Sequence, residues 1–108
     1  MRVLLDECVP ARLCRELSGH EVQTVPGVGW AGINNGELLR KIDSASQFDA
    51  FVTVDKNLPD QQSTESLSFG VVVLRVSSNS IDDLLPLIPD LQKALQGLRP
   101  GEAVVLGG

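Results

Sequence analysis

The sequence predicts an α/β fold, a small three-layer sandwich with a mainly parallel sheet of about five strands. Three observations lead there. Short apolar, β-branched runs alternate along the chain with amphipathic or capped stretches. The run GVVVLRV, residues 70–76, is unbroken in the way expected of a strand buried on both faces of a parallel sheet. A chain of 108 residues, 43% apolar and 21% charged, is long enough for one domain with a core, residues 1–108, and too short for two.

The elements follow in order. RVLL, Arg2 to Leu5, is a first strand that ends in Asp6 and Glu7. Pro10 to Leu17 reads as a helix, because Leu13 and Leu17 lie one turn apart and Pro10 suits a first turn, where its missing N–H costs nothing. EVQTV is a second strand bounded by Pro26, and the Gly-rich PGVGWAG is a loop. Asn34 or Asn35 caps the next helix, whose apolar stripe is Leu38, Leu39 and Ile42. DAFVTV is a third strand, and the polar NLPDQQSTESLSF has room for one helical turn before the fourth strand, GVVVLRV. Ser80 and Asp83 have the spacing of a capping box, and Ile81, Leu84, Leu85, Ile88, Leu91 and Leu95 carry a helical period to Gly97. Pro86 and Pro89 must kink or split that helix. EAVVL is a short fifth strand at an edge.

Composition narrows the function classes. Nine Lys and Arg against fourteen Asp and Glu give a formal charge of −5, and Arg40–Lys41 is the one adjacent basic pair. This argues against a broad nucleic-acid-binding face, but not against a small acidic site that reaches phosphate through a divalent ion. The start MRVLLDECV lacks the charged and apolar regions of a signal peptide, and no apolar run approaches a membrane span, so a cytoplasmic protein without membrane association is expected. Cys8 and Cys14, six apart, match no common zinc spacing and read as thiols in or near the core. His20, the single histidine, reads as a turn or packing residue.

In parallel α/β sheets ligands gather beyond the carboxyl ends of the strands, where the winding reverses. With the first strand central between the second and third, Asp6 and Asp55 leave adjacent strands about 5 Å apart at the backbone. Helices that follow strands begin at the same edge, so Glu37 can lean toward it. Three such carboxylates repel one another, and a hard cation such as Mg²⁺ or Mn²⁺ relieves this by accepting oxygen ligands. The plainer alternatives are that each Asp caps a turn and that Glu37 complements its helix dipole. Glu7 reads as solvent-facing or as a support to the site.

Two families are resembled. The DE closing the first strand and the phrase DAFVTVDKNLPD resemble a response-regulator receiver domain, which would make Asp55 a phosphoacceptor and Ser77 a switch hydroxyl. Receivers place a lysine at the end of the fifth strand, where this chain reads EAVVLGG. The second resemblance covers nearly the whole chain. LLDECVP, GHEVQTV, GWAGINNGELL, FDAFVTVDKNLPDQQ, VVVLRVSSN and LRPGEAVVL, in that order, resemble the small bacterial PIN-like proteins, a group mostly of undefined function related to VapC-type toxin ribonucleases.

The PIN resemblance implies clustered acids that hold Mg²⁺ or Mn²⁺ for phosphodiester hydrolysis, with Asp6 and Asp55 as the strand-end acids and Glu37 as the third. Asn35 and Asn57 stand where many relatives carry Asp. An amide oxygen is a weaker, neutral ligand. The expected function is a metal-dependent nuclease on single-stranded RNA, toxin-like, with an antitoxin or other protein partner. A binding module that holds a metal loosely or without turnover is the alternative. Asn57, Gln61, Gln62 and Asn79 are expected to orient substrate or water, and Lys56 either steadies phosphate charge or is simply solvated. Trp30 either stacks a base or lids the core. The edge of the fifth strand and the apolar helix near Leu84 to Leu95 suggest a homodimer, the alternative being that the same residues are buried within one chain.

Overall fold

The computed structural model describes residues 1–78 and 80–107, and of Pro59 and Asp60 the backbone only. Its centre is a five-stranded sheet in the order β2-β1-β3-β4-β5. The strands are β1 (Arg2–Leu5), β2 (Glu21–Thr24), β3 (Ala50–Thr53), β4 (Gly70–Arg75) and β5 (Ala103–Gly107). All four neighbouring pairs run parallel, so the sheet is wholly rather than mainly parallel. The first strand is central, as the placement of Asp6 beside Asp55 requires.

Side chains alternate across the sheet and divide the core in two. On one face Val3, Leu5, Ala50, Val52, Val72 and Leu74 pack against a 3₁₀ segment, Ala11–Glu16, and the helical run from residue 81 to 97. On the other, Leu4, Phe51, Val71 and Val73 pack against helices α1 (Asn35–Ala45) and α2 (Leu58–Gln61) through Leu38, Leu39, Ile42 and Leu58. These are the three expected layers. At the base of the sheet, Arg2 N donates to Asp49 Oδ2 at 2.8 Å and Asp49 N donates to Arg2 O at 2.8 Å, which fixes the register of β1 on β3.

Local chemistry accounts for the boundaries. Asn34, not Asn35, caps α1: its side chain accepts from Glu37 N at 2.9 Å. Ser80 caps α3 (Ile81–Leu84) by accepting from Asp83 N. Pro86 and Pro89 split the following run, since neither ring nitrogen can donate within a helix. A 3₁₀ turn, Leu85–Leu87, therefore separates α3 from α4 (Ile88–Gly97). The helix expected over Pro10 to Leu17 is instead the shorter 3₁₀ segment, which opens with a bond from Leu13 N to Pro10 O. It buries Leu13 alone and has no side-chain cap, too little to hold a longer α-helix.

The steps from β3 to β4 and from β4 to β5 go the same way across the sheet but cross on opposite faces. They are therefore opposite in hand, and the last crossover reverses the sense of the others, against the usual right-handed rule. Its effect is to lay α3 and α4 over the face that the 3₁₀ segment leaves thinly covered. Leu84, Leu91 and Leu95 are completely buried there. Burial within the chain is one of the two uses the sequence allows for the apolar side of this run, while Leu85 is 39% exposed. Val105, in the middle of β5, is 49% exposed. Among the described residues no helix is long and apolar enough to cross a membrane.

Gly70 begins β4 at a point where an added Cβ would run into the side chain of Leu98. Gly70→Ala is expected to cost about 1–3 kcal/mol by overpacking, read as a lower urea midpoint at unchanged m-value. A variant as stable as wild type would show that Leu98 moves aside without cost.

Candidate acidic site at the carboxyl edge of the sheet

The reversal of winding between β1 and β3 puts the ends of these two strands together, and a single hydroxyl joins them. Asp6 N donates to Val52 O at 2.9 Å, so the ladder still holds Asp6 one residue past β1. The residue is only 6% exposed. Oδ1 accepts from Glu7 N at 2.9 Å, and Oδ2 accepts from Thr53 Oγ1 at 2.7 Å and Cys8 Sγ at 3.4 Å. Thr53 Oγ1 also accepts from Asp55 N at 3.0 Å. The two strand-end acids are thus coupled through Thr53, one by its carboxylate and the other by its backbone.

Asp55 is half-buried and has two partners of its own. Oδ1 accepts from Asn57 N at 3.0 Å, the turn-capping role that an Asp at a strand end commonly fills. Oδ2 accepts from Asn35 Nδ2 at 2.9 Å. Because Asn34 does the capping, the Asn35 amide is left to cross from α1 to the sheet edge.

The other expected residues are arranged less closely. Glu37 is exposed in the first turn of α1, and among the described residues its carboxylate makes no hydrogen bond or ion pair. The expected convergence of Asp6, Asp55 and Glu37 is not seen as a ligand group: among the described residues no three His, Cys, Asp or Glu side chains stand together to hold a metal ion. The physical reason is that the Glu37 side chain stays in solvent, with no hydrogen bond among the described residues to hold it over the edge. Glu7 is exposed, and its Oε1 accepts from Gly32 N at 3.3 Å, tying the loop after β2 to the end of β1. Gln62 is half-buried with its amide over Gly36, at the start of α1. Lys56, Asn57 and Gln61 are exposed at the same edge, and Asn79 lies outside the described residues.

Trp30 is half-buried and packs against the core. Its ring meets Phe48 edge-on, centroids 6.2 Å apart at 79°, and Lys41 Nζ lies 5.7 Å from the Trp30 ring centroid. His20 plays its part away from the acids: its Nε2 meets Gln92 Oε1 at 2.9 Å, joining the start of β2 to α4.

Sequence reading missed Thr53 and Cys8. The signal for Thr53 was present: it is the one hydroxyl inside the apolar run AFVTV, and a buried hydroxyl must find partners. Cys8 follows Asp6 by two residues and turns its thiol onto the same carboxylate. Burial is the main cause that pushes the Cys8 thiol above its ordinary 9.0, helped by the nearby Asp6 and opposed by hydrogen bonds at Val54 and Thr53.

The edge is flanked by two clefts. One, of about 410 Å³, lies between the Glu7 to Ala11 segment and Thr24 and Pro26. The other, of about 270 Å³, lies between the ends of β3 and β4 and is lined by Val54, Lys56, Arg75, Val76 and Ser77. No model of a known protein family, no curated protein and no solved structure matches the chain.

Thr53→Val should cost about 2–3 kcal/mol, because it leaves a buried carboxylate oxygen short of a donor and the Asp55 N–H without its acceptor. Thr53→Ser, which keeps the hydroxyl, should cost less. Urea denaturation measures both, and a Thr53→Val loss within about 0.5 kcal/mol would remove Thr53 from its central place. The Cys8 thiol gives a pH dependence of definite sign. With its folded pKa raised, its contribution is intact below the unfolded value of 9.0 and is lost as pH rises from there through the folded value. Wild type should therefore lose more stability than Cys8→Ala between about pH 7.5 and about pH 10; equal losses would show that the thiol does not sense its surroundings.

Proposed function

We propose that the chain is a PIN-like, metal-dependent nuclease acting on single-stranded RNA, a toxin-like component of the VapC kind. The observation that supports it best is the pairing of Asp6 and Asp55 on adjacent central strands, at the switch point where α/β sheets bind ligands, with Thr53 holding both. The order of sequence phrases that resembles the PIN-like group supports the same reading.

The donor set fits a divalent ion of one kind. Mg²⁺ characteristically binds through one or two carboxylates, several waters and substrate phosphate rather than through an all-protein cage. Two carboxylates beside the amides of Asn35 and Gln62 match that demand, and the lack of a third clustered acid among the described residues does not oppose it. Asp6 and Asp55 would hold Mg²⁺ or Mn²⁺, with Glu37 reaching in only when an ion or substrate is present. Such an ion polarises a phosphodiester and lowers the pKa of a nearby water. The chain's own contribution is position: the β1–β3 ladder and Thr53 fix Asp6, Asn35 orients Asp55, and Asn57, Gln61 and Gln62 offer hydrogen bonds to substrate at the rim. A cytoplasmic location goes with this reading. So does a protein partner, an antitoxin or a second copy, for which the open β5 edge offers strand addition.

Two observations favour other readings. Asn35 occupies the Asp55 oxygen that a third acid would otherwise share an ion with, which suits a binding module without turnover. The strand order 2-1-3-4-5 is also that of the flavodoxin-like folds to which receivers belong. Against a receiver stand the reversed last crossover and the residues of β5, which ends in Gly107 with no lysine.

The deciding experiment is cleavage of a mixed single-stranded RNA pool with Mn²⁺ or Mg²⁺. Wild type should cut, and Asp6→Asn and Asp55→Asn should each lower the rate on the order of 100-fold. Variants that cut as well as wild type would end the acidic-site mechanism. RNA binding without cutting by wild type would select the binding module, and a labile adduct on Asp55 after acetyl phosphate and Mg²⁺ would select the receiver.

A further inference from the structure

We propose that the cleft between the carboxyl ends of β3 and β4 is a phosphate subsite for single-stranded RNA, in which Lys56, Arg75 and Ser77 bind the phosphate next to the one at Asp6 and Asp55. It rests on the nuclease reading for which phosphate is cut, but not for binding itself.

The charges of this cleft are what set it apart. Both charged residues that line it are cations, in a chain whose formal charge is −5. Among the described residues neither makes an ion pair; Arg2 with Asp49, at the opposite end of the sheet, is the pair that forms. The Asp55 carboxylate, next to Lys56 in the chain, is taken up by Asn35 and Asn57, and that of Asp83, which lines the adjoining cleft beyond Arg75, is engaged by the Ser78 hydroxyl. Two cations that line one cleft make it a favourable place for an anion.

The walls are rigid and the donors are of the right kind. Val54 and Val76 close the cleft from below and pack into the core. Arg75 is the last residue of β4 and is held in register opposite Gly107. Its guanidinium offers a planar fork of donors, Lys56 a compact point charge and Ser77 a hydroxyl, a set suited to phosphate oxygens.

Position supplies the link to the acids. Asp55 and Lys56 are consecutive, so the acidic gap between β1 and β3 and the basic gap between β3 and β4 lie one strand apart. That spacing is about 4.8 Å, somewhat less than the separation of neighbouring phosphates in a nucleic-acid strand, a difference the long Lys56 and Arg75 side chains can span. A polynucleotide laid along the edge would meet acids at one phosphate and cations at the next. The subsite accordingly selects for a chain with more than one phosphate and explains how a chain with few basic residues can engage RNA.

The test is binding of a short 5′-fluorescein-labelled oligoribonucleotide by anisotropy, in EDTA so that nothing is cut, across a salt series. Wild type should bind, and the Lys56→Gln/Arg75→Gln double variant should bind about 10-fold more weakly, with the slope of log K against log salt reduced by about 0.7 for each phosphate no longer neutralised. Lys56→Gln alone should show the same trend in smaller measure, which guards against misfolding of the double variant. Lys93→Gln, an exposed cation on α4, should bind like wild type. Wild-type affinity and slope in the double variant, an equal loss in Lys93→Gln, or no RNA binding by wild type would each overturn the proposal. If binding follows the cleft variants while wild type fails to cut with Mg²⁺ or Mn²⁺, the subsite stands and the nuclease reading falls.

Discussion

The hydroxyl of Thr53 is where the apolar interior of the sheet meets its polar edge. A parallel sheet covered on both faces has no room for unpaired polar groups along its strands. Polar chemistry is driven to the ends. Thr53 is the last residue of β3, completely buried, and has Asp6 as acceptor and the Asp55 N–H as donor. In satisfying itself it also fixes the relation between two acids that belong to different strands. The ladder around it supplies the rigidity, since Asp6 continues the β1–β3 pairing by one bond beyond the strand.

The layers were legible because their signals are local and agree with one another. The unbroken β-branched run of β4, the spacing of Leu38, Leu39 and Ile42, the Ser80 cap and the two prolines that break the last helical run all act within a few residues. What was less legible depends on partners distant in sequence. The short 3₁₀ segment after β1 shares its face with α3 and α4, and nothing between Pro10 and Leu17 states that. The side taken by the last crossover is equally silent, because an amphipathic helix reads alike whichever face of the sheet it covers.

The site divides along the same line. Asp6 and Asp55 could be placed from strand ends alone, but the convergence of Glu37 asked a solvent-facing side chain to turn inward without a partner to hold it. Asn35 could be read as a missing acid, whereas its donor group is the one in use. Arg75 and Ser77 stand at and beyond the end of a strand whose sequence advertises only burial. Their meeting with Lys56 exists because β3 and β4 are neighbours in the sheet, which no window of sequence contains.

The Asn35 amide has a consequence for how the protein relates to its surroundings. In many small metal-binding folds the ion supplies part of the folding energy, so chelation unfolds them. Here the two strand-end carboxylates already have donors from the chain itself, Asp6 from Thr53, Cys8 and Glu7, Asp55 from Asn35 and Asn57. The polar edge of the sheet is therefore held by donors from the chain itself, so a chelator in the buffer should leave the fold intact.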